Sequence, residues 1–203
     1  MNILLRALAK DSTIEVKSSA ANEEFKQSQY SKTMITDIPS WLTDARIADL
    51  EMQKAAQDFI FTRTELYGSD MLLLQYSVEE KQAKAELQYN SIKEAIIAVL
   101  MVESPKALKD FESERYIHRV TDRVADSGFR YPSKVKLIFV QLDKCLEQFK
   151  RGVDGEKDGK LQLWLATIAD PNDEQVKVAA EKDEVLRSGF CTDVPDQYIK
   201  KSK

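Results

Sequence analysis

The stretch "AIIAVLMV", residues 95–102, is the longest apolar run of the chain, and its reading decides the fold. As a helix it would cover about 12 Å, well short of the roughly 20 apolar residues needed to cross a bilayer. It is therefore a core segment. Upstream, Ser77 and Glu80 form a capping box, in which a hydroxyl and a carboxylate satisfy the first free amides of a helix reciprocally. The helix they open carries Ala85, Tyr89, Ile92, Ile96, Val99 and Leu100 at helical spacings. Continued through residues 95–102, where it is apolar all round, it predicts a central helix covered on several sides.

Working outward, "DIPSWLTDARIADLEMQKAAQDFIFTRTELYG", residues 37–68, places Trp41 and Leu42, then Ala45, Ala48, Met52, Ala55 and Phe59 three or four apart, with Leu66 two turns further on, the spacing of one long helix. Pro39 and Ser40 suit its entry and Gly68 its exit. The short run from Met71 to Tyr76 reads equally as strand or buried helix. Ser104 and Pro105 open a further helix to about Asp126, and Pro132 and Ser133 another that ends at Gly152. Leu161, Trp164, Leu165 and Ile168 follow helical spacing, and residues 172–189 supply a last helix stopped by Gly189.

Composition agrees with this reading. Six glycines and five prolines in 203 residues leave few turns for an all-β fold, and long charged side chains suit helix exteriors. The expectation is an all-α protein, a single-domain helical bundle or orthogonal helical domain of about six or seven helices. Residues 1–33 form an amphipathic start (Ile3, Leu4, Ala7, Leu8) followed by a polar arm or linker, residues 34–189 the helical domain, and residues 190–203 an extended tail. The start either docks on a partner or is the first turn of the fold.

A net charge of -4 and a pI near 5.3 give no overall basic field to attract nucleic acid or acidic membranes. Cys145 and Cys191 are the only cysteines, too few for a disulfide scaffold, which fits a reducing, cytoplasmic home. The apolar stretch of the N-terminus is broken by Arg6 and is short for a secretory signal.

Two patterns stand out as candidate sites. In "RGVDGEKDGKL", residues 151–161, Asp154, Glu156 and Asp158 occupy the first, third and fifth positions of a calcium-type loop. The twelfth position, where such loops place a bidentate Glu, is Leu165. The expectation is an acidic turn with no metal. The second pattern is basic: Arg115, Arg119 and Arg123 lie four apart on one predicted helix, and Arg130, Lys134 and Lys136 follow among Tyr116, His118, Phe129 and Tyr131. Arginines interleaved with aromatics grip phosphates and stack on bases, so Arg115, Arg119, Arg123, Arg130 and Lys134 are the candidate anion- or partner-binding residues. Against this, Glu112, Asp122 and Asp126 stand three residues from one or another of these arginines, which suits surface ion pairs on a solvated face.

His118 is the only histidine, which excludes His-pair metal sites and repeated Glu-x-x-His di-iron motifs. Neither a Gly-rich phosphate loop nor a GxSxG elbow is present, and Cys145 falls on the apolar side of its helix. No catalytic residue and no cofactor emerge. The leading expectation is a non-enzymatic helical protein acting through protein–protein contacts or self-association, as a subunit, adaptor or structural component of an assembly. The alternatives are a nucleic-acid or anion binder using the face from Arg115 to Lys136, and a small-molecule enzyme of unknown type.

Overall fold

The computed structural model describes residues 1–19, 23–25, 34–36, 38–82 and 89–187. In chain order the elements are α1 (Asn2–Ala9), β1 (Val16–Ser19), β2 (Glu23–Phe25), β3 (Met34–Thr36), β4 (Pro39–Leu42), β5 (Ile47–Gln53), α2 (Ile60–Gln82), β6 (Ala95–Met101), α3 (Lys106–Lys109), β7 (Ile117–Val124), β8 (Arg130–Gln141), α4 (Leu142–Lys150), α5 (Gly159–Ala169), α6 (Glu174–Ala180) and α7 (Glu184–Arg187). A short 3-10 turn, Tyr89–Ser91, precedes β6. The strands form a six-stranded mixed sheet ordered β1-β4-β5-β6-β8-β7, with β2 and β3 paired in a separate hairpin.

This overturns the all-α expectation. The run expected as a central helix is β6, the central strand, parallel to β5 on one side and to β8 on the other. All seven of its residues are buried. A parallel strand covered by helices on both faces needs apolar residues at every position, so it loses the period-two signature that would betray it. The long helix expected over residues 39–68 is likewise the antiparallel pair β4–β5 followed by the first turns of α2. Residues 104–126 hold only the four-residue α3 before β7, and residues 133–141 belong to β8. The helical readings hold at α5, whose inward residues Leu161, Trp164 and Leu165 are buried, and at α6.

Two apolar layers sandwich the sheet. On one face α2 packs through Ile60 and Met71 onto Ile97, Val99, Leu137 and Phe139. The fit is close: a Cβ on Gly68 of α2 would lie 2.2 Å from Cγ1 of Val135 on β8. On the other face α1, α4 and α5 cover Ala48, Leu50, Ile96, Ala98, Ile138 and Val140. The amphipathic start is thus the first element of the core, with Leu4, Leu5 and Leu8 buried. The polar arm is described only in part, and the C-terminal tail expected over residues 190–203, with Cys191, lies outside the described residues. No helix among the described residues is long and apolar enough to cross a membrane.

Candidate active site

Residues 49–53 of β5 read Asp-Leu-Glu-Met-Gln. Side chains alternate across a strand, and Ala48 and Leu50 belong to the layer under α1 and α5, whereas Ile47 belongs to the layer under α2. Asp49, Glu51 and Gln53 therefore share the α2 face. All three are buried, an expensive place for two carboxylates unless polar groups meet them.

Arg63 of α2 meets two of them. Its Nη2 donates to Glu51 Oε1 and, at 2.9 Å, to Gln53 Oε1. The Gln53 amide is oriented from its other end, where Nε2 donates to the carbonyl of Ala55 at 2.8 Å. Arg63 is itself positioned over the ring of Tyr67, 5.7 Å from its centroid. Beside it Asp49 Oδ1 accepts from the backbone amide of Ile38 at 3.3 Å. The end of β5 is fixed by the amide of Val102, which donates to the Gln53 carbonyl at 2.9 Å. A carboxylate and an amide oxygen thus converge on one cationic nitrogen at the carboxyl end of two adjacent parallel strands, the edge at which open α/β sheets place ligands.

The residues singled out in the sequence lie elsewhere. Arg115, Arg119 and Arg123 are not on a helix: Arg115 precedes β7 and the other two lie in it. Arg115 and Arg119 pair with Glu156 at 3.2 and 3.5 Å, where the Glu156 side chain is only 2% exposed. Burial lowers the Arg119 pKa, and the Glu156 charge opposes that fall. Arg123 pairs with Glu65 of α2 at 2.9 Å. Arg130 and Lys134 are exposed on β8 and make no ion pair among the described residues. His118 shares a hydrogen bond of 3.0 Å with Gln141 Oε1.

The acidic loop is a structural latch. Asp154 Oδ1 accepts from the Tyr116 hydroxyl at 3.0 Å and from the Glu156 amide at 2.9 Å, while Oδ2 accepts from the Asp158 amide at 2.6 Å. Asp158 caps α5 through the amide of Leu161. These oxygens face the chain itself, and among the described residues no group of three or more His, Cys, Asp or Glu is placed to hold a metal ion. Tyr116 is fully buried, and burial raises its pKa far above the ordinary phenol value.

A mixed sheet between helical layers, with an acid-x-amide pair at the end of a buried strand, defines an α/β protein with a carboxylate-centred site. The chain belongs to the family described as PD-(D/E)XK nuclease family transposase, which it matches over residues 1–192. No curated protein and no solved structure matches it. This membership overturns the expectation of a non-enzymatic adaptor or assembly component, as the sheet overturns that of an Arg-rich helix face.

The site residues went unseen because a helical stripe through Ala45, Ala48, Met52 and Ala55 competes with the strand pattern in the same segment. The signal was nonetheless there: polar and apolar residues alternate strictly from Asp49 to Gln53.

Proposed function

We propose that the chain cleaves phosphodiester bonds of DNA at the Glu51–Gln53 end of β5. The observation that carries this reading is the shared grip of Arg63 Nη2 on Glu51 and Gln53, in a chain whose family is described as a nuclease-type transposase. The family's motif name spells an Asp or Glu, any residue, then a Lys. Glu51-Met52-Gln53 meets its first position and departs at the third, where glutamine replaces lysine. The missing positive charge is made good from α2, since Arg63 reaches the Gln53 side-chain oxygen at 2.9 Å.

The donor set suits a hard divalent cation. A carboxylate oxygen and an amide oxygen already converge on a cationic nitrogen, and magnesium is typically held by one or two carboxylates with water completing the shell. Such a cation, held by Glu51 and Gln53, would polarise a phosphoryl oxygen and acidify a bound water. Glu51 supplies the fixed negative charge. Gln53, clamped at Ala55, presents its oxygen without adding charge. Arg63 turns from its intramolecular acceptors to the phosphate, where its fork of donors offsets charge developing on the equatorial oxygens. A second carboxylate comes from Asp49 on the same face, and in the sequence Asp37 is the only acidic residue between Glu24 and Asp44. Asp37 lies outside the described residues.

The test is relaxation of supercoiled plasmid with magnesium by the wild-type chain and by Glu51→Gln and Asp37→Asn, each checked for an unchanged thermal melt. Cleavage that disappears in Glu51→Gln supports the reading. Cleavage that persists undiminished contradicts it.

A further inference from the structure

The β7–β8 hairpin projects past its neighbours. The pairing of β8 with β6 runs from Val135 to Gln141, whereas its pairing with β7 extends to Pro132, Tyr131 and Arg130 opposite Asp122, Arg123 and Val124. The tip is closed by the amide of Ala125 donating to the Phe129 carbonyl at 2.9 Å, with Gly128 at a φ of 83° that favours glycine. Residues 122–124 and 130–132 therefore form a two-stranded ribbon.

What the ribbon carries is unusual for a solvated edge. Phe129 is 66% exposed and Tyr131 49% exposed, and their rings stack on each other with centroids 6.2 Å apart and planes 24° from parallel. Exposed apolar groups gathered in one place mark interaction sites. The surrounding charge selects the partner: Arg130 and Lys134 are exposed and without ion pairs among the described residues, although the chain as a whole is acidic. An aromatic pair on one face of a narrow exposed ribbon, with Arg130 alternating onto the other face and Lys134 further along the same strand, suits a polyanion that presents flat apolar faces and wraps the ribbon's edge. Unpaired nucleic acid has that chemistry.

We propose that the β7–β8 ribbon binds single-stranded DNA, with bases extending the Phe129–Tyr131 stack and phosphates held by Arg130 and Lys134. This rests on the reading of the chain as a DNA-cleaving protein and adds to it where the strand is gripped. Arg123 sits opposite Tyr131 in register and pairs with Glu65 of α2 at 2.9 Å, so it anchors the ribbon to the body of the protein. Arg115 and Arg119, committed to Glu156, take no part.

The experiment measures fluorescence anisotropy of a labelled 15-nucleotide oligothymidylate and of a duplex of equal length, both against the full-length Glu51→Gln chain, which prevents cleavage. Phe129→Ala with Tyr131→Ala is expected to weaken binding to the single strand at least tenfold, in line with the cost of losing an aromatic partner for a base. Arg130→Ala with Lys134→Ala is expected to reduce the slope of log affinity against log salt by about 1.4, as two phosphate contacts on a single strand require. Thermal melts of the variants check that the exposed tip leaves the fold intact. The proposal is overturned if the parent chain fails to bind the single strand or prefers the duplex. It is also overturned if either pair of substitutions leaves affinity and salt slope unchanged, or if sedimentation shows that the tip serves self-association. Binding that responds to the ribbon in a wild-type chain that cuts nothing would remove the Glu51 reading alone. Cutting that needs Glu51, with binding indifferent to the ribbon, would remove the ribbon alone.

Discussion

Arg63 on the first turns of α2 and Glu51 on β5, twelve residues apart in sequence, form an ion pair whose side chains are only 23% and 9% exposed. A carboxylate so placed needs its counter-charge, because solvent does little to stabilise it. The short α2 connection therefore ties the fold to the site: the helix that covers one face of the sheet also delivers the cation that compensates its acid.

Replacing Arg63 tests that double role. Arg63→Ala strands the Glu51 charge and is expected to cost about 3 kcal/mol in urea denaturation, with cleavage slowed by about 10²-fold as for the loss of one donor to a transition-state oxyanion. Arg63→Lys keeps the charge and should recover most of the stability but only part of the rate. A variant as stable as wild type would show that the pair contributes nothing.

The latch around the acidic loop makes a sharper steric prediction. A Cβ at Gly155 would lie 1.9 Å from the carbonyl oxygen of Glu114, whereas nothing stands within 4 Å of one at Gly159. Gly155→Ala must displace backbone and should lower stability by about 2–3 kcal/mol. Gly159→Ala, four residues on, should be neutral or slightly stabilising. Equal effects at the two positions would refute the latch.

Burial pushes the Cys145 thiol up to about 12, and the thiolate is the reactive form. In a Cys191→Ser background, iodoacetamide at pH 8 should leave Cys145 of the native protein unmodified while labelling it promptly in urea. Prompt labelling of the native protein would mean that α4 opens readily or packs differently.

Near the end of α1 the Thr13 hydroxyl and Arg46 together hold Asp11 down at about 2, against a partial penalty from burial. A carboxyl lowered on folding stabilises the native state above its ordinary value of 3.8, and that contribution fades as pH falls towards about 2. The stability gap between wild type and Asp11→Asn should therefore be full near neutrality and shrink over that acid range. A gap constant with pH would remove the charge from the explanation.

How much of this was legible follows from where the periods are strong. Leu161, Trp164, Leu165 and Ile168 of α5 keep an unbroken helical spacing, and Asp158 and Asp173 cap α5 and α6 in the structure. The strands were hidden for two different reasons. In β6 every residue is apolar because both faces are covered, and such a run carries no period at all. In β5 the alternation of Asp49, Glu51 and Gln53 with Leu50 and Met52 was present, but alanines on either side completed a helical stripe through the same residues. The basic residues stand out in the sequence, but spacing does not distinguish Arg115 and Arg119, which pair with Glu156, from Arg130 and Lys134, which stay exposed. Arg63 gave no sign, since its meaning depends on a strand and a helix brought together by the fold.

The rate at which Glu51→Gln nicks supercoiled DNA with magnesium, relative to wild type, is the most direct measurement. Glutamine preserves the shape and an acceptor for Arg63 but removes the charge, so the variant should melt within a few degrees of wild type and cut at least about 10²-fold more slowly. A Glu51→Gln chain that folds and cuts at the wild-type rate would show that the centre of this protein lies somewhere other than the end of β5.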